Sequence, residues 1–395
     1  MMENLPRGFT GGVAEAQFRK AGRKDLMLLF SKRPCVLGAL FTTNIFCAAP
    51  VQIDRAILAS GRTVRAVVGN SGQANACTGE EGLRNAREIQ EYVARDLEID
   101  PDEVLLISTG VIGAQFDMAR WRKALPELVK HLGDANLESC TRAIMTTDAF
   151  PKFRSKNIAL QGGEIRLSVM AKGAGMICPN MATMLCVAMC DLVIERDDWQ
   201  RLFNEAVQMT FNRVSVDGDT STNDTILGLA NGASGVAIHD SRDMAIVREE
   251  LRGTLAEVAT MLVQDGEGAS KIMRIIVQGA KSDADAKKAA RAIGDSQLVK
   301  TAIYGGDANW GRIINAVGYS GAYVKPDEVR MSLCGIERFK NGAPVNDDKE
   351  EELARLLQEK EIRIELSLGN GSGEYAYLAS DLGHEYVTLN SDYRS

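Results

Sequence analysis

A mixed α/β protein of layered sheets and helices, lacking the regular alternation of a doubly wound sheet, is the fold that this sequence predicts. Three observations point there. Short runs rich in β-branched residues and leucine, among them Thr63 to Val68, Val104 to Ile107, Ile165 to Met170 and Ile272 to Val277, read as strands. Between them apolar residues recur at spacings of three and four, which mark one buried helical face. The two kinds of segment alternate irregularly and repeat at no fixed period, which favours α+β or layered α/β over a regular parallel sheet.

In chain order, Asp25 to Phe30 and Val36 to Asn44 are two short apolar runs. Thr63 to Val68 has strand character and ends in Gly69-Asn70-Ser71-Gly72, a turn signal. Thr78-Gly79-Glu80-Glu81 has the form of a capping box, and the helix it opens runs to about Leu97 with Leu83, Ala86, Ile89 and Val93 on its face. Val104 to Ile107 stops at Ser108-Thr109-Gly110, so a hydroxyl and backbone N–H groups stand at a strand tip. Met118 to Leu132 reads as helix, with His131 closing it. Trp199 to Phe211 and Met244 to Val263 also read as helices, as does the alanine-rich Ser282 to Ile293. Glu361 to Leu368 alternates as a half-exposed strand does, and so does the tail, Tyr386 to Ser395.

The 395 residues suit two domains or one large two-lobed body. Apolar content of 45% and charged content of 25% are ordinary for a soluble globular chain. A net charge of −7 without a basic stripe argues against nucleic acid as a partner. No apolar stretch reaches the roughly 20 residues that span a bilayer, so no membrane is expected. The first residues lack the apolar core of a signal peptide. The eight cysteines form no C-x-x-C pair, which fits reduced, buried thiols in the cytoplasm better than disulfides or metal ligation.

Chemistry concentrates in Lys172 to Leu185, K-G-A-G-M-I-C-P-N-M-A-T-M-L. A turn rich in glycine, with a proline, leads to Ala182 and Thr183. The apolar run Met184 to Cys190 that follows has the character of a buried strand. Cutting the Ala182–Thr183 bond would leave a strand whose first residue carries a free α-amine beside its own hydroxyl, a nucleophile and its base together. The alternative is a loop leading into an ordinary core strand. Imidazole is a poor candidate for the base: His131, His239 and His384 sit in none of the local motifs of a histidine-activated nucleophile, and G-x-S-x-G is absent. That favours the amine variant.

Other constellations read more plainly. Asp217, Asp219, Asn223 and Asp224 offer oxygens to a divalent cation, but the spacing is not that of an EF-hand, so a structural loop near the site is expected and no metal. Gly173-Ala174-Gly175 lacks the lysine of a phosphate loop. Glu267 lies between two glycines, as a partner for a substrate ammonium, a proton carrier or a solvated loop carboxylate. Trp310, among turn formers from Gly305 to Arg312, suits a packed structural loop.

Taken together, these segments resemble the ornithine acetyltransferase family, the glutamate N-acetyltransferases of arginine biosynthesis. The resemblance runs from Gly8-Phe9-Thr10 to the last residue. It rests on Phe41 to Asn44, Asn70 to Gly79, Val216 to Asp224, Asp265 to Lys271, Asp307 to Arg312 and Asn390 to Arg394. Cys178 before Pro179 and a serine at position 395 depart from the familiar pattern and bear on acyl-donor preference. The resemblance implies an architecture like that of N-terminal-nucleophile hydrolases, with different connectivity. It implies self-cleavage between Ala182 and Thr183 into fragments 1–182 and 183–395, which stay associated and assemble further as homo-oligomers. Thr183 is then the nucleophile, Thr109 and Gly110 the oxyanion hole, and Thr146, Lys172, Thr183, Glu267, Asn390 and Ser395 the substrate-binding residues. The implied reaction passes acetyl from N2-acetylornithine to glutamate through an acetyl-threonine ester. It needs no cofactor, and some relatives use acetyl-CoA as a co-substrate. An N-terminal-nucleophile amidase, handing the acyl group to water, is the alternative; a binding protein that has lost cleavage is another.

Overall fold

A computed structural model describes residues 5–19, 21–178 and 184–392. The chain divides into two compact units. The first takes residues 1–212, 219–262 and 395, and the second takes 213–218 and 263–394. The Ala182–Thr183 bond lies outside the described residues and within the first unit's span.

The first unit is built on a mixed sheet of eight strands among the described residues. These are β1 (Phe9–Ala14), β2 (Leu26–Phe41), β3 (Val64–Gln73), β4 (Val104–Val111), β5 (Lys152–Leu160), β6 (Gly163–Lys172), β7 (Leu185–Cys190) and, after the short β8 (Val214–Ser215) of the other unit, β9 (Thr225–Ala230). Their order is β4-β3-β2-β9-β7-β6-β5, with β1 on β2. β3 runs parallel to β4, and β7 parallel to β9. Every residue of β7 and of β9 is buried, as expected of strands with neighbours on both edges and cover on both faces. The helices are α1 (Ala49–Ser60), α2 (Gly79–Leu97), α3 (Met118–Lys130), α4 (Leu137–Ile144), α5 (Arg196–Met209) and most of α6 (Ser241–Gln264). α2 buries Ala86, Ile89 and Val93, the face read from its spacing. α5 lies close on the sheet, where the Trp199 indole N–H donates to the Gly228 carbonyl at 2.9 Å.

Several expectations are corrected here. The runs at Asp25 and Val36 are one strand, β2, whose pairing with β3 is irregular between Phe30 and Cys35. Gly69 to Gly72 is no turn: it stays in β3, paired from Gly69↔Ile107 to Gly72↔Gly110. Glycine at 69 answers crowding instead, since a Cβ there would fall 2.7 Å from Met27 Cε and 2.9 Å from Ile144 Cγ2. Thr78 does not close a capping box, because its hydroxyl donates to Asn75 Oδ1 at 2.7 Å rather than serving the helix N–H groups.

The second unit holds a mixed seven-stranded sheet among the described residues, of order β13-β12-β11-β14-β10-β15-β8. Its further strands are β10 (Ile272–Ala280), β11 (Arg330–Leu333), β12 (Ile336–Lys340), β13 (Ala343–Pro344), β14 (Glu361–Ser367) and β15 (Gly373–Ser380). Met273, Ile275 and Val277 of β10 and Ile362, Ile364 and Leu366 of β14 alternate into one core with α7 (Asp283–Gly294). α8 (Gln297–Gly305), α9 (Trp310–Tyr319), α10 (Glu350–Leu356) and α11 (His384–Asp392) complete it. Trp310 opens α9 rather than sitting in a loop, because Asn309 caps that helix by accepting from the Arg312 N–H at 3.2 Å. As far as Asp392, the last described residue, the tail is a helix, not the expected strand. None of α11 is buried, so its alternation reflects no half-covered face.

Candidate active site

In the first unit the ends of β4 and β6 carry the candidate residues. β4 runs on to Val111, so Thr109 and Gly110 are strand residues opposite Ser71 and Gly72, not a turn beyond the strand. Gly110 has φ +147°, and a Cβ on it would lie 2.2 Å from the Gly72 carbonyl carbon. Only glycine lets the two strands close there. Thr109 is 7% exposed, with its hydroxyl turned toward Lys172.

Lys172, the last residue of β6, is itself 3% exposed. Its ammonium donates to Thr146 Oγ1 at 2.9 Å and to Thr109 Oγ1 at 3.3 Å. Three of the residues read from the sequence, Thr109, Thr146 and Lys172, thus share one hydrogen-bonded cluster. A buried ammonium holding two hydroxyl oxygens leaves each hydroxyl proton to be donated elsewhere.

Asp148 and Lys152, which sequence reading passed over, underlie the cluster. Both side chains are fully buried and pair at 2.6 Å. Burial pushes the Asp148 carboxyl up, but Lys172, Lys152 and the Gly173 N–H outweigh it and hold it down at about 2. The four-residue spacing of Asp148 and Lys152 was the available signal, though it resembles any surface pair.

β7 begins two residues after Thr183. Ala182 and Thr183 lie outside the described residues, as does Ser395. Met184, joined to Thr183, is buried. Its N–H donates to Asp224 Oδ1 at 2.9 Å, and its carbonyl accepts from the Thr225 N–H at 3.1 Å. Burial drives the Asp224 carboxyl well above the usual carboxylate range, against the Met184 N–H and Lys172, which pull it down. The Asn223 amide ties in the strand ends by donating to the carbonyls of Ala74 at 2.7 Å and Ser108 at 2.8 Å. The Asn223-Asp224 part of the acidic segment is therefore a structural clamp on this sheet. No group of three metal-binding side chains occurs among the described residues.

In the second unit Glu267 lies on the turn after α6. Its Oε2 accepts from the Asn390 amide of α11 at 2.8 Å, which joins two of the expected residues. Gly268 has φ +69°, and a Cβ there would lie 2.5 Å from the Tyr386 N, so the turn and the helix are seated against each other. Asp381 braces the same turn, accepting from the Ser270 N–H at 2.8 Å and the Ser270 hydroxyl at 2.5 Å.

A model of the ArgJ family matches residues 10–395. The chain belongs to the ArgJ family. The arginine biosynthesis bifunctional protein ArgJ of Nitratidesulfovibrio vulgaris is 53% identical over 394 residues, covering 100% of this chain and 100% of that protein. Its counterpart of the same name in Geobacter sulfurreducens is 44% identical over 394 residues, 98% of this chain and 99% of that one. A solved ArgJ structure from Bacillus halodurans is 36% identical, covers 51% of this chain and 96% of its own, and has a TM-score of 0.49. As an ArgJ family member the protein is a bifunctional acetyltransferase of arginine biosynthesis.

Proposed function

We propose that the protein moves acetyl from N2-acetylornithine to glutamate through an ester on Thr183, and that its second activity takes acetyl from acetyl-CoA. The observation that carries this reading is the buried Lys172 ammonium holding the hydroxyls of Thr109 and Thr146, on the strand that leads into the Ala182–Thr183 segment. Cleavage of that bond makes fragments 1–182 and 183–395 and frees the α-amine of Thr183. The amine takes the hydroxyl proton as Oγ attacks the acetyl carbonyl. Negative charge then develops on the carbonyl oxygen, answered by the Thr109 hydroxyl and the backbone at Gly110. The C–N bond breaks, the nitrogen takes the proton, and ornithine leaves. The α-amine of glutamate attacks the ester, and N-acetylglutamate departs as Thr183 recovers its proton.

Lys172 and Thr146 are the groups for the amino acid's carboxylate. Glu267, steadied by Asn390, is the group for an ammonium, with Ser395 as a further contact. The two fragments are expected to remain associated and to form homo-oligomers. The eight cysteines are scattered in sequence with no C-x-x-C pair, which supports the reducing cytoplasm as the compartment.

Product analysis tests the reading. Purified protein given N2-acetylornithine and glutamate should release ornithine and N-acetylglutamate in equal amounts, and acetyl-CoA should replace the acetyl donor. Free acetate in place of N-acetylglutamate would identify an amidase instead.

A further inference from the structure

We infer that Asp148 is the residue that positions the Lys172–Thr146 pair for substrate. This rests on the reading of Lys172 and Thr146 as substrate-binding groups. Three contacts carry it. Asp148 Oδ2 accepts from the Thr146 N–H at 2.9 Å, while Oδ1 accepts from the Gly173 N–H at 2.7 Å and from Lys152 Nζ at 2.6 Å. Thr146 is the residue whose hydroxyl Lys172 holds, and Gly173 follows Lys172 in the chain. One carboxylate therefore fixes the backbone at both ends of the Lys172–Thr146 hydrogen bond, closing a ring of contacts around it.

The same carboxylate sets the charge. Asp148 and Lys152 have fully buried side chains, and Lys172 is 3% exposed, so solvent screens none of the three much. Lys152 lies on β5 opposite Ala171, one residue from Lys172 in the register. Among the described residues, Lys172 acts on two carboxyl groups, Asp148 in the loop before β5 and Asp224 in the segment leading into β9; the other cation on Asp148 is Lys152. Burial drives Asp224 toward its neutral form, whereas Asp148 stays ionised and favours the charged form of Lys172 in this dry setting. An asparagine could not replace it. The amide offers one acceptor oxygen, whereas three donors converge on the two oxygens here.

Steady-state kinetics of Asp148→Asn test the assignment, with intact-mass and thermal-melting checks on cleavage and folding. KM for the amino-acid substrates is expected to rise about tenfold or more, the scale of one charge-assisted hydrogen bond, with a smaller fall in kcat. The basic limb of the pH profile of kcat/KM is expected to move to lower pH, because an ammonium that loses a neighbouring anion gives up its proton sooner. The single change leaves Lys152 buried without an anion, so Asp148→Asn/Lys152→Met accompanies it, and Asp148→Glu should return the basic limb toward its wild-type position. Folded variants with wild-type KM and an unmoved basic limb would overturn the inference, as would failure of all three to fold, which would make Asp148 a folding residue only. Lys172→Met run alongside separates the two layers. If it leaves KM unchanged, the substrate-binding reading itself fails. If it raises KM while the Asp148 variants do not, only the positioning role fails.

Discussion

Thr109→Ala separates transition-state stabilisation from ground-state binding. The substitution removes one hydroxyl from a residue 7% exposed and leaves the β3–β4 ladder intact. Lys172 loses its longer contact, at 3.3 Å, and keeps the 2.9 Å contact to Thr146. The structural cost is that of one hydrogen bond, about 0.5–1.5 kcal/mol, small against the roughly 5–15 kcal/mol that holds a typical domain folded. The catalytic cost is larger. Loss of one oxyanion donor lowers kcat by about 10²–10³, or roughly 2.7–4 kcal/mol of barrier. Thr146→Ala is the matched control, since it removes the shorter contact to the same ammonium but no oxyanion donor, and should act mainly on KM. The assay is initial-rate kinetics with N2-acetylornithine and glutamate on protein shown to be cleaved and folded. If Thr109→Ala raised KM alone and spared kcat, the oxyanion assignment would be wrong.

Three further outcomes are expected. Asp148 is held at about 2, below the ordinary value near 3.9, so its contribution to stability is present above about pH 4 and is lost as pH falls toward 2. Thermal unfolding between those limits should show a loss on the order of 2 kcal/mol that is absent in Asp148→Asn; the buried, raised Asp224 acts with the opposite sign, its contribution lost as pH rises through its folded pKa. Gly110→Ala should destabilise by about 3 kcal/mol or more in urea unfolding, because its φ of +147° and a Cβ 2.2 Å from Gly72 force β3 and β4 apart, and an unchanged midpoint would contradict the close approach. Deleting Asn390 to Ser395 removes the amide that holds Glu267 and should abolish most acetyl transfer in a chain that still folds and cleaves, as Glu267→Gln should weaken it; near-normal transfer would exclude the tail from the site.

Much of this was legible in the sequence because periodicity reports burial. The face of α2 and the fully buried β7 follow from spacing and apolar run length alone. The errors have a common cause in contacts remote in sequence. Gly69 to Gly72 reads as a turn until Met27 and Ile144 are seen filling the space a side chain would need. The tail alternates like a strand yet is helical as far as Asp392, and the chain distant from it, Gly268 and Glu267, is what that helix meets. At the site, Thr109, Thr146 and Lys172 were readable through the family resemblance. Asp148 was not, since nothing local distinguishes a fully buried ion pair from a solvated one four residues apart.

The central claim is an acetyl ester on Thr183 of a self-cleaved chain. Intact-mass measurement after brief exposure to N2-acetylornithine, without glutamate, tests it most directly. The protein should run as fragments 1–182 and 183–395, with one acetyl group added to the second and lost again when glutamate is supplied. Thr183→Ala should remain whole and unlabelled, while Thr183→Ser, which keeps the hydroxyl, should still cleave. A whole wild-type chain that transfers acetyl, or cleaved and active protein that never carries the group, would contradict the account.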